Sequence, residues 1–147
     1  MSGGSGAFAH LHCHSEYSML DGASRIKDLV AFAKEQNMPG LALTDHGVMY
    51  GAVRFYKEAK DAGIKPLMGC EVYVTADRHD RSRAPYYHLT LIARTAEGYR
   101  NLIKLSTGGF LEGFYYKPRV DMEMLKRYGK GIICLSGCLS GEVPTRI

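Results

Sequence analysis

Three histidines alternate in His10-Leu11-His12-Cys13-His14. On a strand, residues two apart share a face, so His12 and His14 would aim two imidazoles at one point. A lone histidine is most often a packed or surface residue. Three in alternation at the end of an apolar stretch point instead to metal ligation. His10 shares their face on a regular strand but lies deeper, and is expected behind the ligands as a partner to them.

Further donors fall near the ends of other apolar stretches. Asp45 and His46 follow Leu41-Ala42-Leu43 in Thr44-Asp45-His46-Gly47. Glu71 interrupts Gly69-Cys70-Glu71-Val72-Tyr73, and a carboxylate inside an apolar strand must meet a cation, a metal or hydrogen-bond donors. His88 opens Tyr87-His88-Leu89-Thr90-Leu91 in the same way. Asp21, before Gly22, reads on its own as a turn residue. The four cysteines, Cys13, Cys70, Cys134 and Cys138, show no paired spacing and suit reduced core residues or ligands more than disulfides. Cys134 lies in an apolar run and is expected in the core, whereas Cys138, after Gly137, is the better ligand candidate.

A His/carboxylate set with a possible cysteine favours Zn²⁺, Mn²⁺ or Fe²⁺ over Mg²⁺ or Ca²⁺, which prefer oxygen. More than four donors imply more than one metal, and clustered metals suit phosphoester hydrolysis. A serine-nucleophile elbow is absent, as are Gly-rich loops of the Walker or dinucleotide type.

Parallel βα units would bring such donors together, since strand ends in barrels and doubly wound sheets converge on one face. Strands are predicted over 8–12, 41–44, 66–74, 87–93 and 131–135. Between them, 25–36 carries Ile26, Leu29, Val30 and Ala33 on one helical face, with Ser24 as its cap. A second helix over 50–62 places Val53, Tyr56 and Ala59 inward and stops at Gly63. Thr95 caps a third with Tyr99, Leu102 and Ile103 inward, and a fourth runs from Asp121 to Gly129. Segment 77–85 reads as a polar Arg-rich loop and 106–116 as a Gly- and aromatic-rich connection. Alternating strand and helix predicts α/β architecture with parallel units. The five strands suit an open doubly wound sheet and part of a closed barrel equally, and residues 140–147 read as a helix just starting, which predicts a piece of a longer chain.

The chain has 147 residues, 46% hydrophobic and 23% charged, enough for one domain with a core. The net charge of +4 is modest, and the clusters Arg78, Arg81, Arg83 and Lys117, Arg119 allow a DNA-binding face but read more readily as solvated surface. The start, 1–6, is Gly/Ser-rich and uncharged, a flexible lead-in rather than a signal or transit peptide. With no apolar run of bilayer length, the chain is expected in the cytoplasm.

The stretches Phe8-Ala9-His10-Leu11-His12-Cys13-His14-Ser15 and Tyr17-Ser18-Met19-Leu20-Asp21-Gly22 resemble the opening of the PHP (polymerase and histidinol phosphatase) domain, in its bacterial DNA polymerase III alpha branch. The resemblance continues through Thr44–Gly47, Gly63–Glu71, His88–Leu91, Gly98–Leu102, Glu112–Phe114 and Leu135–Leu139, nearly the whole chain after Gly6. It implies a distorted seven-stranded β/α barrel, present here to about five βα units over residues 7–147. The implied ligands of a divalent metal cluster are His12, His14, Asp21, His46, Glu71, His88 and Cys138. Asp21, His46 and Glu71 would serve catalysis through the metals, with His10 and Asp45 supporting from behind. The implied activity is 3′–5′ exonuclease proofreading on a DNA primer end, with the rest of a polymerase chain and other replisome subunits as partners and no membrane. A polymerase active site is expected outside this chain. A histidinol-phosphate phosphatase and a structural, non-catalytic metal module are the alternatives. The family's late Asp-x-His is expected on a further strand. Asp77-Arg78-His79 has that spacing but falls in a polar loop at the wrong point in the order, and reads as coincidence.

Overall fold

The computed structural model describes residues 8–147; the lead-in expected over 1–6 lies outside them. In chain order the elements are α1 (Ile26–Glu35), β1 (Gly40–Leu43), α2 (Ala52–Ala62), β2 (Lys65–Thr75) and β3 (Tyr86–Ala93). There follow α3 (Ala96–Leu111), β4 (Phe114–Tyr115), β5 (Lys117–Val120), α4 (Met122–Tyr128), β6 (Ile132–Leu135) and α5 (Glu142–Thr145). The fold is α/β with an open sheet ordered β4-β5-β2-β3-β6, and β1 also lies against β2.

The long strand β2 organises the sheet. On one side it pairs in parallel with β1 through Lys65–Met68 and then with β5 at Tyr73 and Val74. On the other it runs antiparallel to β3, which is in turn antiparallel to β6. The expectation of purely parallel units is therefore corrected. A parallel return needs a crossover of roughly a dozen or more residues, usually a helix, and the polar segment 76–85 between β2 and β3 is short and forms none.

Two apolar clusters flank β2. Ile26, Val30, Ala33, Leu41, Leu43, Phe55 and Ala59 pack α1 and α2 against β1. Cys70, Val72, Leu91, Leu102, Leu105, Val120 and Met124 pack α3 and α4 against β2, β3 and β5. Thr95 caps α3 as expected, accepting from Gly98 N at 3.0 Å, and Asp121 caps α4 through Met124 N at 3.0 Å. Gly63 ends α2 in the left-handed region at φ 77°, a position that favours glycine. At the start of α1, Arg25 rather than Ser24 takes the capping position. The Ile26 N–H is met from a distance by Glu16 at 2.8 Å.

Five local expectations fail. Residues 8–12 form no strand: the segment is tied to β1 by Ala42 N to His10 O and Thr44 N to Cys13 O, while the Cys13 N–H goes to the Thr44 hydroxyl, so no ladder builds. Residues 106–111 belong to α3, because Gly108 and Gly109 admit close contact with Met124 and Pro118 and do not break the helix. On α2 the buried face is Ala52, Phe55 and Ala59, leaving Val53 and Tyr56 exposed, and on α3 Leu105 rather than Ile103 faces the core. Cys134 is exposed, since β6 is an edge strand with outward side chains.

Candidate metal centre

The site is built around Glu71, fully buried in the middle of β2. Two main-chain hydrogen bonds, Glu71 N to Asp45 O and Gly47 N to Glu71 O, pin the loop after β1 against β2 and set His46 beside Glu71. Across β3 the register pairs Glu71 with Thr90 and Tyr73 with His88, so His88 shares the face of Glu71 one diagonal away. Ser140 O accepts from His88 N at 2.9 Å, which draws the turn carrying Cys138 over the same face. The segment before α1 delivers His12 and His14 from the other side.

His12 Nε2 contacts Glu71 Oε2, and His14 Nε2 lies 3.0 Å from the same oxygen. His46 Nδ1 stands 3.7 Å from Oε2, and His88 Nδ1 is 2.6 Å from Oε1. Cys138 Sγ sits 3.7 Å from Oε1 and 3.6 Å from His88 Nδ1. Asp21 does not reach Glu71; its half-exposed carboxylate binds the outer nitrogen of His46 at 2.9 Å. Every ligand expected from the resemblance except Asp21 thus touches Glu71, and Asp21 joins through His46.

Of the two supporting residues, Asp45 lies directly behind the site and His10 does not. The buried Asp45 carboxylate accepts from Ser15 N (2.6 Å), Ser15 Oγ (2.8 Å) and Ser18 Oγ (3.0 Å). Ser18 Oγ in turn meets His46 N at 3.1 Å and His14 Nδ1 at 3.5 Å. The His10 ring is exposed and packs edge-on against Phe8, outside the cluster; the chain bends at Leu11, so strand alternation carries only His12 and His14 inward. Ser15, Ser18 and Tyr73, which stacks on His46 at 5.9 Å, escape sequence reasoning. The available signal was Asp45, a carboxylate that needs donors once buried, but its spacing does not single out Ser15 and Ser18.

Burial pushes the Glu71 carboxyl up, but hydrogen bonds from His12 and His14 outweigh it and hold it well below the usual carboxylate range. Burial, reinforced by the charge of His14, lowers His46, which favours the neutral form a ligand needs. His14 moves the other way: burial lowers it, and the bond and charge of Glu71 more than compensate. Cys70, behind the site, is pushed by burial up to about 12 and is no ligand.

Two donor sets emerge, His12–His14–Glu71 and His46–Glu71–His88, each with ligand atoms within 4.8 Å of one another and Glu71 common to both. His46 Nδ1 is buried without a hydrogen-bond partner among the described residues, and it faces this carboxylate. Imidazoles, a carboxylate and a nearby thiol are the donor chemistry of Zn²⁺, Mn²⁺ and Fe²⁺, and the residues fit such ions.

The profile of the PHP domain matches residues 10–147. The chain belongs to the PHP domain family. Among relatives of this PHP domain, the DNA polymerase III subunit alpha of Thermus aquaticus is 50% identical over 145 residues, taking in 93% of this chain and 12% of that protein. The subunit from Deinococcus radiodurans is 53% identical over 148 residues, with 92% and 11% covered. That from Borreliella burgdorferi is 49% identical over 145 residues, with 95% and 13% covered. The PHP domain described here therefore spans about an eighth of the length of these relatives. A solved structure from Bifidobacterium adolescentis, described as a metal-dependent phosphoesterase, superposes with a TM-score of 0.50 at 19% identity. It covers 70% of this chain and 33% of that one, and shares the fold. Among the described residues, no helix is long and apolar enough to cross a membrane.

Proposed function

We propose that this PHP domain is the metal-dependent phosphodiesterase module of a replicative DNA polymerase alpha subunit, removing nucleotides from a DNA 3′ end in the cytoplasm. The observation that carries the reading is Glu71: a fully buried carboxylate met by four imidazoles from three separate segments. So many donors on one buried acid suit a cluster of divalent ions, Zn²⁺ with Mn²⁺ or Fe²⁺ as alternatives, which His12, His14, His46, His88 and Glu71 would hold. When bound, such ions lower the pKa of a water and hold the attacking and leaving oxygens in line.

The chain's own groups supply the rest. His12 and His14 hold one side of Glu71 and His88 the other, while Asp45 fixes Ser15 and Ser18 and so the orientation of His14 and His46. Asp21, half exposed on the outer nitrogen of His46, is the group placed to orient an incoming water and to take its proton. In the reaction, water oxygen bonds to phosphorus, the bond from phosphorus to the 3′ oxygen breaks, that oxygen takes up the proton Asp21 accepted from the water, and a nucleoside 5′-monophosphate is released. The polymerase relatives favour a DNA end over a small phosphomonoester, with the remainder of a polymerase chain and other replisome subunits as partners.

The test is turnover of the metal-loaded protein on a primer with a mispaired 3′ nucleotide and on histidinol phosphate. Release of mononucleotides from the primer alone is the expected result. Turnover of histidinol phosphate alone would replace the reading with the small-molecule phosphatase. Turnover of neither, with metal bound and the fold intact, would leave a structural metal module.

A further inference from the structure

Beside the cluster the surface is aromatic where a soluble domain would be expected to be polar. A cavity of about 340 Å³ is lined by His46 and His88 together with Tyr50, Phe110, Phe114 and Lys117. Tyr86, stacked on His88 with ring centroids 6.4 Å apart, also lines this cavity and a second one of about 340 Å³, where Arg83 and Tyr116 stand. The two cavities, each of a size that takes a small ligand, share Tyr86, which marks a path from one to the other.

The path is built and not incidental. Tyr116 is 73% exposed and lies at the tip of the β4–β5 hairpin with φ 59°, a left-handed backbone that a large side chain resists. Phe114 is half exposed and stacks on Phe110 with ring centroids 5.9 Å apart. Neither Lys117 nor Arg83 forms an ion pair among the described residues; Lys117 Nζ lies 5.2 Å from the Tyr73 ring. The other arginines of this region are committed elsewhere: Arg78 binds Asp121, Glu112 and Glu123, and buried Arg119 donates to main-chain carbonyls. Open aromatic faces alternating with unpaired cations are what a single strand of nucleic acid requires, with bases on the rings and phosphates at the cations.

We infer that the aromatic path from Phe114 past Tyr86 to Tyr116 binds single-stranded DNA, with the terminal phosphodiester at the His/Glu cluster and upstream bases on these rings. This rests on the phosphodiesterase reading and names where its substrate lies. Lys117 and Arg83 face the phosphates between successive bases.

The experiment measures binding of a fluorescein-labelled hexathymidylate with phosphorothioate linkages, and of its abasic counterpart, by anisotropy on the metal-loaded protein. The base-bearing strand is expected to bind about tenfold tighter than the abasic one, as stacking of one or two bases provides. Phe114→Leu keeps apolar bulk and removes the ring face; it is expected to weaken hexathymidylate binding about tenfold. Tyr116→Gly suits the left-handed backbone, so the fold is kept or strengthened while affinity falls similarly. Leu111→Ala, exposed on α3 but off the path, is expected to leave affinity alone. Lys117→Gln is expected to flatten the dependence of log affinity on log salt by roughly one phosphate contact. Equal affinity for base-bearing and abasic strands, or unchanged affinity in both Phe114→Leu and Tyr116→Gly, would overturn the path. Base-dependent binding without nuclease turnover would sink the proposed reaction and uphold the path. Hydrolysis of bis(p-nitrophenyl) phosphate without base-dependent binding would do the reverse.

Discussion

Replacing Glu71 by glutamine keeps the shape of the side chain and removes its charge. The carboxylate meets His12 and His14 through Oε2 and His88 through Oε1, and belongs to both donor sets. An amide offers one oxygen and one NH₂, so one of the two sides must lose its acceptor. Breaking a buried charged network by removing one partner costs about 3–5 kcal/mol. At about 2–4 °C per kcal/mol for a domain of this size, the melting temperature of the metal-loaded protein falls by roughly 6–20 °C. Residues that merely support a metal ligand change affinity about 10–100-fold, so a shared ligand costs more than about 100-fold at each position. Calorimetric titration of the metal-free variant with Zn²⁺, beside a thermal melt, reads both quantities. Loss confined to one class of site, with the other at native affinity, would refute the membership of Glu71 in both donor sets. A native melting temperature would refute its place at the centre of the network.

Three other perturbations reach different parts of the structure. Asp45→Ala leaves Ser15 and Ser18 donors buried without an acceptor; about 1–3 kcal/mol of stability and about 10–100-fold in metal affinity are expected to go, read by urea midpoint and metal titration. Burial raises the Asp121 carboxyl, but the Met124 amide and Arg78 outweigh it and hold it low. A lowered carboxyl contributes stability that is whole above its unfolded value of about 3.9 and is lost as pH falls through the folded value. Urea midpoints below about pH 4 should therefore fall less in Asp121→Asn than in the native protein, and parallel curves would contradict this. Thr95→Ala removes the cap of α3 and is expected to cost about 1 kcal/mol, seen as a small drop in melting temperature with metal content unchanged.

The candidate metal centre is legible because its chemistry is local in sequence. Alternating histidines and an acid inside an apolar strand are hard to explain without a cation, and His12, His14, His46, Glu71 and His88 do meet. Asp21 and Cys138 were weaker signals and lie at the margin, one behind His46 and the other at the long contact distance of a thiol. His10 misled because strand alternation was extended through a segment that makes only two main-chain bonds to β1. Strand direction was not legible, since antiparallel and parallel neighbours share the same period of two. The clue lay in the missing helix between β2 and β3. Gly108 and Gly109 read as helix breakers but are packing positions, a distinction that depends on Met124 and Pro118 from distant parts of the chain. Of the two cation clusters, Arg78 and Arg119 turn inward, because acids and carbonyls brought close by β5 and α4 satisfy them, whereas Arg83 and Lys117 form no ion pair among the described residues.

The central claim is that Glu71 and the surrounding imidazoles hold a cluster of divalent metal ions. Elemental analysis of the protein purified without added metal, before and after chelation, tests it most directly. The account predicts about two equivalents of Zn²⁺, Mn²⁺ or Fe²⁺ per chain, one for each donor set, with loss of thermal stability on chelation. A protein free of transition metal that neither binds added Zn²⁺ nor changes its melting temperature on chelation would contradict it.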